Sequence, residues 1–376
     1  MPEYTYPGVY IDEIDTSAHP IEGVSTTTAA LVGFTADGPL TPVAVTSFTE
    51  YQRNFGLSAA GQYLSDAVRG FFENGGTRCY ILRLPPEVAD AGGGQDAGSP
   101  AEQALVPLDG LTDISLVCCP DEHSIPGMTA ALVVHCQRYK DRVAILSAAL
   151  GEDYSNIPPA GSRSAFAAYY VPWVVVPNPA GGAALSVHPG GHVTGAIALT
   201  DVQRGVWKAP ADVPLVGIVG LERTITEQQQ ATLNDRGVNV LRDFPGHGIR
   251  IWGARTTSSS ASEWKYLNVR RLLIYLEQSI QRGLQWAVFE PNGELLWANV
   301  RQTVEDFLHD EWRKGALQGL TPKEGYFARC DRSTMTQDDI DNGRLVCMVG
   351  VAPVQPAEFV IFKISIVTSA EPPPSN

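Results

Sequence analysis

Positive charge is scarce in this 376-residue chain: 27 Lys and Arg face 41 Asp and Glu, for a formal net charge of −14. No basic cluster stands out, and contact with nucleic-acid phosphates needs one, so nucleic acid is excluded as a partner. No apolar run reaches the ~18 residues that cross a bilayer, which excludes direct membrane insertion. The opening, Met1-Pro2-Glu3-Tyr4-Thr5-Tyr6-Pro7-Gly8, has neither the basic stretch nor the apolar core of a secretory signal. Cys79, Cys118, Cys119, Cys136, Cys330 and Cys347 form no CxxC pair and fall mostly inside apolar runs. They read as reduced core thiols of a protein folded in the cytoplasm, not as a zinc site or disulfide framework. Charged residues make up only 18% of the chain. That low share suggests that much surface is buried against something.

Signatures of catalysis are equally sparse. A GxxxxGK[ST] loop is missing, which removes the phosphate cradle of an NTPase. His188-Pro189-Gly190-Gly191-His192 offers two metal ligands, but the intervening proline and glycines put them on a loop, and no third ligand is placed. Gly190 to Gly195 is glycine-rich without the strand-then-helix context of a dinucleotide fingerprint. Cys118-Cys119-Pro120-Asp121-Glu122 looks like the carboxyl edge of a ligand-binding α/β sheet, although its two carboxylates read more simply as turn and helix cap. A nucleophilic Cys118 or Cys119 would need a base, and His123 or His135 could be nominated only arbitrarily. The expectation is no catalytic residue, no metal, no cofactor and no enzyme. The rival, an α/β enzyme, would rest on Asp121, Glu122 and His123.

What the chain does contain reads as α/β. A buried strand at 29–34 leads to the Asp37-Gly38-Pro39 turn. A helix at about 63–73 stops at Asn74-Gly75-Gly76, before a strand at 79–84. Strand 114–119, helix 126–139 and strand 142–147 make a β-α-β unit, which favours a parallel sheet with right-handed crossovers. Thr226 and Gln229 have capping-box spacing for a helix that ends at Gly237, before strand 238–241. Residues 87–103 hold too little hydrophobicity to pack and read as a linker or surface loop.

The last third differs in texture. A helix is predicted over 264–282, with Val269, Leu273, Leu276 and Ile280 on one stripe and a capping pair at Ser260 and Glu263. A hairpin over 286–297, turned at Asn292-Gly293, follows. A second helix spans about 300–317, and polar residues 338–342 lead into a strand at 344–351. Both chain ends read as extended. Residues 4–14 are broken by Pro7-Gly8, and 358–367 set Val360, Phe362, Ile364 and Ile366 on one face.

The opening Tyr6-Pro7-Gly8-Val9-Tyr10-Ile11-Asp12-Glu13-Ile14 is followed, in order, by Val32-Gly33-Phe34, Tyr169-Tyr170-Val171-Pro172-Trp173, Asn268-Val269-Arg270-Arg271, Phe289-Glu290-Pro291-Asn292 and Asp341-Asn342-Gly343-Arg344. Together these stretches resemble the contractile tail-sheath family of phages, R-type bacteriocins and related injection systems. The resemblance implies a central α/β sheath core over 23–250, with the Gly-rich loop 87–103. It further implies a C-terminal α+β inner domain over 251–355 and extended β-arms at 1–22 and 356–376, exchanged between subunits.

The implied function is a homopolymer of six subunits per ring, stacked around an inner tube protein and contracting to drive that tube through a target membrane. Baseplate and tail-terminator or cap proteins are the implied further partners, within a phage tail or tail-like particle. A sheath-like cap or adaptor is the alternative. Tyr6, Val9, Ile11, Ile14, Phe359, Val360, Phe362, Ile364 and Ile366 are the implied strand-arm residues. Arg313, Lys314 and Lys323 are candidates for contact with an acidic tube. Removing 356–376 is expected to leave a folded, soluble monomer that forms no sleeves.

Overall fold

The computed structural model describes residues 19–90, 98–179 and 181–358. The arm residues named above, from Tyr6 to Ile14 and from Phe359 to Ile366, lie outside the described residues.

Apolar runs with no polar interruption dictate the centre of the molecule. β1 (Ala29–Gly33) is buried at every residue. After it come β2 (Val43–Val45), α1 (Phe48–Phe55), α2 (Leu64–Glu73), β3 (Cys79–Arg83), the short helix α3 (Glu87–Asp90) and α4 (Pro100–Leu105). β4 (Leu116–Cys118), α5 (Met128–Tyr139), β5 (Val143–Ser147) and β6 (Ala167–Val171) continue the pattern. The chain goes on through β7 (Val174–Val176), β8 (Leu185–Val187), α6 (Gly190–Arg204), β9 (Val213–Pro214), β10 (Gly220–Leu221), α7 (Glu227–Asp235), β11 (Val238–Phe244) and β12 (Gly248–Trp252).

These strands make a nine-stranded sheet ordered β2-β3-β1-β4-β5-β6-β11-β12-β9. From β3 to β11 the neighbours are parallel, and antiparallel strands close both sides. Parallel strands need cover on both faces, which is why they read as continuous apolar runs. Alternate residues of each strand serve opposite faces. Leu31, Ile81, Leu116 and Ile145 pack with Phe55, Val68, Phe71, Val193 and Ile197 from α1, α2 and α6. Val32, Leu82, Val117 and Leu146 pack with Leu105, Leu132, Cys136 and Leu233 from α4, α5 and α7. The result is helix, sheet and helix in three layers.

Two expectations fail on this body. The supposed loop at 87–103 ends inside α4, whose Ala101 is buried against the sheet, as is Leu105 just beyond the loop. A Ser99 hydroxyl capping the Glu102 N–H starts that helix, so residues 100–103 are helical where composition suggested a loop. The second is the loop at 188–192. Gly190–Gly191–His192 opens α6, a helix buried over most of its length, and β8 precedes it. Glycine disfavours a helix in isolation, but here it permits contact. A Cβ on Gly191 would lie 2.1 Å from the Ala67 carbonyl oxygen of α2, and one on Gly195 would lie 2.3 Å from that of Phe71. Gly191→Ala should therefore lower the unfolding free energy by about 1–3 kcal/mol through overpacking. Urea denaturation measures it, and an unchanged midpoint would show that the two helices are free to move apart.

Past the sheet come α8 (Leu267–Gly283), α9 (Glu294–Arg313), a turn of helix α10 (Pro322–Gly325), β13 (Tyr326–Arg329), α11 (Gln337–Asp341) and β14 (Met348–Val351). α8 starts at Leu267 without a side-chain cap, so the Ser260 and Glu263 pair does not serve it. The predicted hairpin at 286–297 is also absent. A 3₁₀ turn at Gln285–Ala287 leads to Gly293, the N-cap of α9, and Asn292 Oδ1 accepts the Trp297 indole N–H at 2.7 Å. Leu296, Trp297, Val300, Val304, Phe307 and Leu308 are buried at helical spacing, and that period outweighs the Asn-Gly turn signal. The polar stretch before β14 is the capped helix α11, and β14 is shorter than the 344–351 expected.

Candidate inter-subunit interface

β13 and β14 pair antiparallel, from Tyr326 opposite Val351 to Arg329 opposite Met348, and form a two-stranded ribbon. Among the described residues neither outer edge of this ribbon is paired. An isolated two-stranded ribbon is marginal in water, and an open edge presents unpaired donors and acceptors to any added strand. Phe327, Met348 and Val349 are 49%, 50% and 37% exposed. One face rests on α9 through Ala328, which joins the cluster of Val304, Phe307 and Leu308.

The first and last described stretches, 19–26 and 352–358, each meet a buried arginine. The N-terminal segment runs along α8. His19 stacks on Trp286 at 4.6 Å, Ile21 packs beside Leu272 and Leu276, and Val24 N–H donates to Ser279 Oγ at 3.1 Å. Farther in, Arg271 of α8 donates to both Asp201 carboxylate oxygens, at 2.9 and 2.6 Å, and to the Thr26 carbonyl at 2.8 Å. The Thr26 hydroxyl donates to the same Asp201 at 2.6 Å. Arg271 and Asp201 are 4% and 8% exposed, so this forked pair ties α8, α6 and the N-terminal segment together out of water.

The C-terminal segment leaves β14 and crosses the end of α9. Gln318 N–H donates to the Ala352 carbonyl at 2.8 Å, and Leu317 bridges Pro353. It reaches Glu358, whose carboxylate takes Arg255 Nε at 2.8 Å and Nη2 at 2.5 Å, with the Tyr266 hydroxyl at 3.4 Å. Arg255 donates its third hydrogen bond to the Asn234 carbonyl at 2.7 Å. Burial alone would raise the Glu358 carboxyl, but the hydrogen bonds and charge of Arg255, helped by Lys265 and Tyr266, hold it below the ordinary range. Residues 354–358 also form one wall of a groove of about 850 Å³, opposite Trp207, Trp252 and Lys314.

The carboxyl edge of the main sheet is occupied by structural contacts. Asp121 accepts the Phe34 and Tyr63 backbone N–H groups at 2.8 and 2.7 Å, and burial pushes it up to about 6 against those donors. Glu122 accepts the Ser147 N–H at 2.9 Å and His188 Nε2 at 3.2 Å. Gly190 N–H donates to His188 Nδ1 at 3.0 Å, which leaves the ring proton on Nε2 for Glu122. Burial pushes the His188 pKa down. Asp121, Glu122, His188 and Trp173 are each at most 3% exposed, so the crevice where an α/β enzyme would bind its ligand is filled. His123 bonds the Ser147 carbonyl at 2.9 Å and is not gathered with a nucleophile.

Residues 100–257 match the family described as the phage tail sheath protein central domain, and 259–367 match the phage tail sheath C-terminal domain. The helical sheath of the anti-feeding prophage in its contracted state is 33% identical, with a TM-score of 0.80 over 96% of this chain and 99% of that one. The chain belongs to the contractile tail sheath family. The sheath of an extracellular contractile injection system, PVC, in its contracted state is 28% identical, with a TM-score of 0.79 over 98% of this chain. A putative prophage major tail sheath protein of Pseudomonas aeruginosa is 26% identical over 202 residues, 52% of this chain and 50% of that protein. The tail sheath protein of Vibrio phage KVP40 is 25% identical over 173 residues, 45% of this chain and 25% of that one. The chain thus spans a quarter to a half of the length of these curated sheath proteins.

Arg313 and Lys314 sit at the end of α9 and Lys323 in the next helical turn, all three exposed. Lys314 is engaged inside the molecule: its Nζ lies 2.8 Å from the buried carboxylate of Glu311, which also accepts the Tyr275 hydroxyl at 3.1 Å. Arg271 and Arg255, which hold the chain ends, were not singled out by sequence. Arg271 does fall in the Asn268-Val269-Arg270-Arg271 stretch that carries the family resemblance, and that was the available signal. No comparable signal marks Arg255.

Proposed function

We propose that this sheath protein is the repeating subunit of a sleeve of stacked six-membered rings around an inner tube, and that contraction of the sleeve drives the tube through a target membrane. The observation that carries the reading is the β13–β14 ribbon, whose outer edges are unpaired among the described residues, in a chain whose first and last described stretches are each tied to a buried arginine. In this reading the segments that contain Val9, Ile11, Phe362 and Ile364 add strands to the ribbons of neighbouring subunits. Backbone hydrogen bonds supply affinity and alternate side chains supply register. An outer core over 23–250 and an inner unit over 251–355 then move as rigid bodies between two polymer states. The energy released is a difference between interfaces, so no nucleotide is consumed.

Overexpressed full-length chain, imaged by negative stain, should form long hollow tubes. Discrete closed particles would favour a cap or adaptor role instead. Arg313 and Lys323 are the candidate grip on an acidic tube, joined by Lys314 only through the face it shares with them. Because Lys314 already serves Glu311, the informative test is Arg313→Glu with Lys323→Glu, leaving Lys314 intact. This pair should abolish co-assembly with the tube protein without changing the melting temperature. Unaltered co-sedimentation would remove these residues from the tube interface.

A further inference from the structure

We propose that Cys330 and Cys347 are a covalently closable pair, which two-electron oxidation joins into a cross-strand disulfide at the base of the β13–β14 ribbon. The register sets Arg329 opposite Met348, so one step farther along the two strands brings Cys330 opposite Cys347. Directly opposed residues of an antiparallel pair have Cα atoms about 4.5 or 5.5 Å apart, both inside the range that a disulfide spans. The two side chains share one apolar cluster with Leu296, Trp297, Val300 and Met335. Each thiol perturbs the ionisation of the other, which places them side by side. The strands stay close beyond this point, since the Thr334 hydroxyl donates to the Val346 carbonyl at 2.8 Å.

The other four cysteines are held apart from this chemistry. Cys79, Cys118, Cys119 and Cys136 are completely buried, in the main sheet, at its edge or in the helix packed on it. Cys330 is also shielded, at 2% exposure, whereas Cys347 is partly open to solvent. The order of events follows from that difference. With a glutathione disulfide as oxidant, the Cys347 thiolate attacks one of its sulfurs, forming a mixed disulfide and releasing one glutathione thiolate. Cys330 Sγ then displaces the second glutathione and forms the intramolecular S–S bond. The protein loses two electrons and two protons, and the oxidant gains them as two glutathione thiols. Burial raises both thiols, Cys330 to about 12. The thiolate is the attacking form, so closure is slow at neutral pH and accelerates as the pH rises.

The bond closes the segment that carries α11 and fixes the register of β13 on β14. The consequence for assembly rests on the sleeve reading: a ribbon of fixed register offers incoming arms one alignment instead of several. The pair is reduced where the chain is made under reducing conditions and closes once a particle meets an oxidising medium.

The test incubates the folded full-length chain with millimolar oxidised glutathione, blocks free thiols and maps peptides by mass spectrometry. The expected result is a Cys330–Cys347 linked peptide, with a loss of about 2 Da and no lasting glutathione adduct. It should form faster at higher pH and be absent from C330S and C347S. Two free thiols after prolonged oxidation, separate glutathione adducts on each, or linkage only in denaturant would each overturn the proposal. Imaging the same samples separates the two readings: a linked pair in a chain that never forms sleeves refutes the sleeve, not the disulfide.

Discussion

Replacing Arg271 by alanine should lower the unfolding free energy by about 3–5 kcal/mol, the usual cost of removing one partner from a buried ion pair. The size follows from what is stranded. Asp201 is 8% exposed and would keep only the Thr26 hydroxyl, so a carboxylate would remain out of water without its cation. The Thr26 carbonyl would lose its guanidinium donor as well. Arg271→Lys should recover part of the loss, because an ammonium supplies charge but not the planar fork that meets both carboxylate oxygens. A paired replacement, Arg271→Met with Asp201→Leu, should lie far closer to the native stability than either single change, since no unpaired charge remains. Guanidinium denaturation of the monomer measures all of these. A loss below about 1 kcal/mol for Arg271→Ala would mean that water reaches Asp201 and that the N-terminal segment is not pinned there.

The same pair shows where sequence reading stops. Continuous apolar runs made β1, β3, β4, β5 and β11 legible, because a strand covered on both faces has no polar alternation to hide it, while β6 was not read as a strand. Thr226 and Gln229 were legible as a capping box because both halves of that motif lie within one turn, and the structure forms it. Asn292-Gly293 misled, since the dipeptide favours a tight turn locally while the buried 3.6-residue spacing from Leu296 to Leu308 makes the segment a helix start. Gly190-Gly191 and Gly195 misled in the opposite sense. They look like a loop until α2 is set against them, and only then does the missing Cβ become a packing feature. The anchors of the chain ends were illegible for a plainer reason. Arg271 and Asp201 are 70 residues apart, and Arg255 and Glu358 are 103 apart, so no local pattern joins them. Cys330 and Cys347 likewise become a pair only through the register of two strands.

Truncation after Glu358 should yield a chain that folds and melts like the full-length protein yet forms no sleeves. The cut matters because Glu358 closes on Arg255, whose side chain is 5% exposed. Removing 356–376 instead would leave Arg255 with the Asn234 carbonyl but no carboxylate, and should cost up to about 3 kcal/mol. The two truncations therefore separate tethering from stability. The reason the shorter cut spares the fold is the balance of an added strand. Burying four apolar side chains gains roughly 6–12 kcal/mol. About eight backbone hydrogen bonds contribute roughly 0.5–1.5 kcal/mol each. Ordering about ten residues costs roughly 10–20 kcal/mol. These quantities offset one another to within a few kcal/mol, so under the proposed strand exchange such a segment would add little to its own subunit and become worthwhile only when many copies dock at once. Circular dichroism and thermal melting should therefore place the chain ending at Glu358 beside the full-length protein and the chain ending at Gln355 below both, while negative stain shows tubes for the full-length chain alone. Normal tubes from the chain ending at Glu358 would refute the tethering role of the C-terminal segment, and a collapsed melt would show that the segment is part of its own subunit's fold.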